Sequence, residues 1–205
     1  MKQAFRYAMG HAILSPKLKW RHHGIGVLQA YFHEGDNETR VHIWDPSLVL
    51  SGLNESSGLV HDHRFSFRSF VLLGAIYNEE FEFKEDVNGQ WVKYGVTHAR
   101  KAMEETGTFH KSLGLLDERR YLAGRCGQWF CVGEEYAMQA REFHLSKVSE
   151  LTVTLVVKTG LTDGSAVIAG KYGVPLVHAF DHPNRSNDYS DLIGLAASKL
   201  IGGNQ

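Results

Sequence analysis

The chain has little cysteine, no excess of charge of either sign and no long apolar run, and each shortage removes a class of protein. Its two cysteines, Cys126 and Cys131, are too few and too close for a disulfide framework, and four intervening residues do not make a zinc-ribbon spacing. Free, buried thiols are the expected reading. Lys and Arg number 22 against 23 Asp and Glu, a formal net charge of -1, so nothing basic calls for nucleic acid or an acidic membrane as partner. No stretch approaches the roughly 20 apolar residues of a membrane helix. The first residues, Met1-Lys2-Gln3-Ala4-Phe5-Arg6-Tyr7, lack the apolar core of a secretory signal, and a cytoplasmic location is the expectation.

Internal repeats, low-complexity tracts and Pro-rich linkers are also missing, as is the Gly-x-Ser-x-Gly elbow of serine hydrolases. Gly24-x-Gly26 lacks the strand-to-helix setting of a dinucleotide site. At 205 residues and 43% hydrophobic composition, the chain is long enough for one sizeable core, and a single domain over 1–205 is expected.

What is present is mostly strand. Val41 to Trp44, Leu48 to Leu50, Leu59 to Leu73, Ala75 to Phe83, Gln90 to Val96, Tyr121 to Ala123, Gln128 to Val132, Glu142 to Val148 and Thr152 to Lys158 are short β-branched or aromatic runs between turn residues. Asn88-Gly89 marks a hairpin. Phe5, Met9, Ala12 and Ile13 have helical spacing and end before Pro16. A second helical pattern runs from about Tyr189 to Ile201, with Ser186 or Ser190 as a cap. The pattern predicts an all-β sandwich or barrel with short N- and C-terminal helices, a β core over about 25–160 and a C-terminal appendage over about 161–205.

One constellation carries chemistry. His61-Asp62-His63 places two imidazoles one residue apart in an apolar run, hence on the same face of a strand and within reach of one metal ion. Gly74 follows, and Gly133 precedes His144 by eleven positions. These residues resemble the two motifs of the cupins, double-stranded β-helix jelly rolls that hold a metal inside the barrel. His61-x-His63 to Gly74 keeps the spacing of the first motif, with Phe67 where the family has Glu and Glu55 where it has its first Gly. Gly133 to His144 keeps the outer spacing of the second, with Gln139, Arg141 and Val148 in place of Pro, Gly and Asn. The 58 residues between the motifs, 75–132, are long for the family and imply an inserted hairpin or lid.

The resemblance implies a metal held by His61, His63 and His144 without the carboxylate. Such a neutral set suits iron(II) first, and also zinc, nickel or manganese. Among cupins it is similar to the thiol dioxygenases, the cysteine dioxygenase group, although Arg68 and about Lys158 stand where those enzymes have their Cys and Tyr. Regular alternation turns Phe65 and Phe67 inward and Arg64, Ser66 and Arg68 outward, while a bulge would bring Arg68 in to clamp a substrate carboxylate. Asp62 points away and bonds backbone or Arg64.

In the following strand Phe81 and Phe83 define a buried face that Tyr77 and Glu79 share, so Glu79 is a candidate for the missing carboxylate and Tyr77 for a hydrogen-bond donor. The alternative is an edge strand whose Glu79, Glu80 and Glu82 are solvated. His22, His23, His178 and His182 lie outside both motifs. The expected function is a metal-binding cupin, a non-haem iron(II) dioxygenase-type enzyme acting on a small thiol or carboxylate. Two alternatives stand beside it, a non-catalytic ligand-binding cupin and a zinc, nickel or manganese isomerase or lyase. A homodimer anchored by Trp20, Trp44, Trp91 or Trp129 is also expected.

Overall fold

Short β-branched and aromatic runs pair into two antiparallel sheets in the computed structural model, which describes residues 3–23, 25–33, 38–49, 59–98, 111–174, 176 and 189–203. The strands are β1 (Arg21–His23), β2 (Ile25–His33), β3 (Thr39–Val49), β4 (Val60–His61), β5 (Phe67–Leu73), β6 (Ala75–Glu85), β7 (Trp91–His98), β8 (Lys111–Leu115), β9 (Tyr121–Cys131), β10 (Glu135–Met138), β11 (Phe143–Lys147), β12 (Thr152–Lys158) and β13 (Val167–Lys171). Helices α1 (Gln3–Ile13) and α2 (Ser190–Gly202) pack against each other, one near each end of the chain.

One sheet has the order β1-β2-β3-β12-β5-β10, and the other β13-β4-β11-β6-β9-β7-β8. Their central quartets, β3-β12-β5-β10 and β4-β11-β6-β9, have the strand order of a double-sheet jelly roll. The all-β expectation with terminal helices therefore holds. The second sheet also closes on itself, because β13 pairs with both β4 and β7 and completes a six-stranded ring.

Three cores result. Leu28, Ile43, Leu72 and Val153 form the outer face of the first sheet and pack under Met9 and Ile13 of α1 and Ala196, Ala197 and Leu200 of α2. Val27, Trp44, Phe67, Val71, Ile76, Tyr136, Met138 and Val156 fill the space between the sheets. The ring encloses Val60, Phe81, Trp91, Tyr121, Leu145 and Ala169. Each fully buried aliphatic side chain here contributes about 2 kcal/mol of transfer free energy.

Several sequence expectations change for physical reasons. Strand β2 has no period-two signal because both faces are covered, Val27 by the inter-sheet core and Leu28 by the helices. Leu59 to Leu73 is two strands: β4 lies in one sheet and β5 in the other, with a bend at Arg64 and Phe65. The Asn88-Gly89 turn forms, with the Gly89 amide donating to Asp86 O at 2.9 Å, but β6 and β7 do not pair. β9 runs between them, and a Cβ on Gly89 would stand 2.3 Å from the Tyr121 amide nitrogen.

The sheet also continues past residue 160, since β13 closes the ring. The long inter-motif segment supplies β7 and β8, an antiparallel pair on the ring side. Helix α2 begins at Ser190 behind Tyr189, with no side-chain cap, and Ser186 lies outside the described residues. Both thiols are free as expected but exposed, because β9 is open to solvent over most of its length. Trp44 and Trp91 belong to cores and Trp20 packs under the helices, leaving Trp129 exposed. Among the described residues no helix is long and apolar enough to cross a membrane.

The jelly-roll corner between β5 and β6 depends on Gly74, whose φ of 72° is left-handed and whose missing Cβ would lie 2.5 Å from Thr152 Oγ1 and 2.7 Å from Leu151 O. Gly74→Ala is expected to destabilise the fold by about 3 kcal/mol through strain and overlap together. The urea unfolding midpoint checks this, and a shift equivalent to less than about 1 kcal/mol would contradict it.

Candidate metal centre

Strand pairing assembles the histidines. His61 of β4 lies directly across from His144 of β11, and across from Ile168 of β13 on its other side. Directly opposed residues of an antiparallel pair share a face, so both imidazoles enter the space between the sheets. His63 follows two residues after His61, where the chain leaves one sheet for the other, and its ring stays on the same side. Ring centroids are 4.9 Å apart for His61 and His63, 4.6 Å for His61 and His144, and 5.0 Å for His63 and His144.

One ligand nitrogen from each ring falls within 4.8 Å of the others. His61 Nδ1 contacts Leu59 O at 2.8 Å and His144 Nδ1 contacts Glu142 O at 3.3 Å. A carbonyl only accepts, so each Nδ1 carries the proton and each Nε2 the lone pair. Burial lowers the His144 pKa from 6.5 to about 3, helped by His61 and opposed by the Glu142 carbonyl. It also holds His63 well below the ordinary value, reinforced by His61, His144, Arg40 and His23. His61 and His144 therefore present Nε2 lone pairs as ready-made ligands.

The donor set fits a divalent ion. Nitrogens about 2.1 Å from one ion stand roughly 3 to 3.4 Å apart, and small side-chain rotations close the remaining gap. His61, His63 and His144 would hold the ion, and no carboxylate belongs to the cluster among the described residues. Phe67, at the position of the family's Glu, sits with its ring 5.5 Å from His63 and 6.3 Å from His144. Phe65 stacks on His63 at 4.9 Å. Together they form an apolar wall.

Polar groups flank this wall. Arg40 lies 4.8 Å and Lys158 5.4 Å from the Phe65 ring, and Glu38 pairs with Arg40. Tyr136 packs against Phe67, and burial raises its phenol pKa, with Ser69 and Asn78 facing the hydroxyl. Ser146 Oγ donates to Asn78 Oδ1 at 2.6 Å.

The other expected site residues lie elsewhere. Glu80, not Glu79, is the Cα partner of His144, so Glu79 and Tyr77 lie on the opposite face of β6. Glu79 there meets Arg125 at 3.6 Å and Lys147 at 3.8 Å, and Tyr77 rests on Trp129 at 5.4 Å. Strand β6 buries Ile76 and Asn78 toward the histidines but Phe81 into the ring, and this switch defeats a single-face reading. Arg68 points outward in register, with no bulge turning it in, and pairs with Glu135 at 2.6 Å.

Asp62 does point away. Its Oδ1 accepts from the Val167 amide at 2.6 Å and its Oδ2 faces Arg141 at 3.4 Å, so Arg141 takes the place expected of Arg64. Arg141 stands at the second motif's Gly and has the φ of 74° that a glycine there would supply. His22 bonds Leu48 O at 2.8 Å, a structural role, while His178 and His182 lie outside the described residues. Arg40, Tyr136 and Asn78 escaped notice because only strand register assigns them to this face, and Glu80, expected among solvated glutamates, is exposed but lies opposite His144.

A jelly roll enclosing three converging imidazoles is the class that fold and site define. No protein family profile matches the chain, and no curated protein matches it. Among solved structures it is similar to a protein of unknown function from Vibrio parahaemolyticus, at 12% identity and a TM-score of 0.35, covering 69% of this chain and 97% of that one. It is also similar to the hydroxypropylphosphonic acid epoxidase from S. wedmorenis (11%, TM-score 0.35), covering 69% of this chain and 55% of the epoxidase. An RmlC-like cupin from Shewanella frigidimarina (12%, TM-score 0.32) aligns over 78% of this chain and 90% of its own. Likeness this distant leaves function to the site's own geometry.

The buried histidines set a pH dependence. His42, between Arg40 and Trp44 on the same inward face, has both ring nitrogens buried without a hydrogen bond and a pKa lowered to about 3 by burial, then by Arg40. An imidazole whose folded pKa lies below its unfolded 6.5 binds protons more readily in the unfolded chain. Stability of the metal-free protein is therefore expected to fall as pH drops below about 6.5, with the loss complete only near 3 for His42 and His144. Urea midpoints measured from pH 7 to pH 5 should decline, and His42→Gln should flatten the decline; a flat profile in the unaltered protein would contradict the assignment.

Proposed function

We propose that this chain is a metal-binding cupin whose His61, His63 and His144 hold a divalent ion, iron(II) first, in a dioxygenase-type enzyme acting on a small molecule. The observation that carries the reading is a carboxylate-free cluster of three imidazoles, His61 and His144 buried and His63 half-buried, whose nitrogens lie within 4.8 Å. Three neutral ligands leave the ion its full charge and leave coordination positions for other groups. Iron(II) bound there supplies Lewis acidity and redox chemistry toward dioxygen.

The protein's own groups do the rest. Hydrogen bonds from Nδ1 to Leu59 O and Glu142 O hold two imidazoles in orientation. Phe65 and Phe67 exclude water from one side. Arg40, held by Glu38 against Phe65, offers a guanidinium near His63 that can orient a substrate carboxylate, the role first considered for Arg68. A small thiol or carboxylate is the substrate class to test first.

Protein purified without added metal is expected to contain near-stoichiometric iron and to consume oxygen with a small thiol. His144→Ala should lower metal affinity by about a hundredfold or more, since even residues behind the ligands account for 10- to 100-fold. Zinc or nickel without oxygen uptake would favour Lewis-acid chemistry at the same histidines. A folded protein that takes up no metal, unchanged by His61→Ala and His144→Ala, would overturn the reading.

A further inference from the structure

The register of the second sheet carries the histidine row beyond the histidines. Ile168 opposes His61, His61 opposes His144, His144 opposes Glu80, and Glu80 opposes Cys126, so one cross-strand line runs through five strands on a single face. The β6–β9 pairing is regular from Ala75↔Cys131 to Glu85↔Tyr121, which leaves no bulge to turn Glu80 or Cys126 away. The next row confirms the face, since Ser146 donates to its partner Asn78.

Exposure changes sharply along that line. His61 and His144 are 7% and 3% exposed, whereas Glu80 and Cys126 are both exposed, as is β9 on both faces from Gly124 to Trp129. Phe65 and Phe67 thus wall the histidine cluster on one side, and on the other the row passes directly from buried His144 to solvent-exposed Glu80. Opposed Cβ atoms in such a pair are about 5 Å apart, so a Glu side chain reaches the space beside His144 without any backbone change.

The charge there is uncompensated. Arg40 lies on the other wall, paired with Glu38, and Glu79 is occupied by Arg125 and Lys147, but Glu80 forms no ion pair among the described residues. We infer that Glu80 is the specificity-determining residue on the open side of the centre: its carboxylate disfavours anions there and holds the hydrogen-bond-donating or cationic end of a small ligand. This rests on the metal reading above, and it assigns Glu80 no part in coordination.

Cobalt(II) as the loaded ion and azide as an anionic probe test it, with d–d absorption as the readout at low ionic strength, where an exposed charge is least screened. Glu80→Gln should tighten azide binding on the order of tenfold, the effect of removing one unit charge a few ångströms from the anion. Glu80→Asp should bind azide as weakly as the unaltered protein, and Glu79→Gln should change it by less than about twofold. Affinity for neutral imidazole should be the same in all four, which a general structural disturbance would not allow. Unchanged azide affinity in a Glu80→Gln protein that loads cobalt normally overturns the assignment of Glu80 alone. Failure of the unaltered protein to take up cobalt overturns that assignment together with the metal reading.

Discussion

Everything at the site depends on the pairing of β4 with β11. Strand β4 is two residues long, too short to hold itself in place, yet it sets His61 opposite His144. It is secured from its other edge by β13 and by Asp62, whose amide donates to Val167 O at 2.9 Å and whose carboxylate accepts from the Val167 amide. A buried carboxylate bonded to a backbone amide is strongly position-specific, because leaving it unpaired costs several kcal/mol. A strand far along the chain thus positions the first ligand.

The second constraint is that the seven-stranded sheet has two interiors. One face meets the opposite sheet and carries the histidines; the other curls into the ring around Phe81, Trp91 and Tyr121. Strand β6 serves both, burying Asn78 on one side and Phe81 on the other. The face that presents Glu80 to the centre therefore withholds Glu79, whose charge is met by Arg125 and Lys147. Electrostatics at the site follows from this division of one strand between two cores.

Bringing three imidazoles together inside the fold is unfavourable to the protein alone, since desolvation suppresses protonation of His63 and His144. An ion bound by all three returns part of that cost, so ligand binding and fold stability are coupled. Arg141 adds a local parallel. It adopts a left-handed φ of 74°, a strain of about 1 kcal/mol for a non-glycine residue. Its guanidinium offsets that strain by bridging Asp62 to the Asp163 and Ser165 carbonyls beside β13.

The His-x-His period, the two terminal helices and the prevalence of strand were legible in the sequence because each is a local pattern: period two for shared faces, 3.6 for helices, turn residues for ends. Gly74 and Gly133 were legible for the same reason, and both have positive φ. The strands that were missed share a cause. Val27 and Leu28 are buried on opposite faces, β10 is four residues long, and β13 is recognisable only by the edges it fills. By itself the sequence determined that His61 and His63 share a face and that an antiparallel β protein surrounds them. The resemblance carried by the Gly133-to-His144 spacing added His144 as the third ligand, and strand pairing sets it opposite His61. Only the tertiary structure decided that Glu80 rather than Glu79 stands beside them and that Arg68 does not, because cross-strand register is fixed by packing between segments dozens of residues apart and leaves no trace in local spacing.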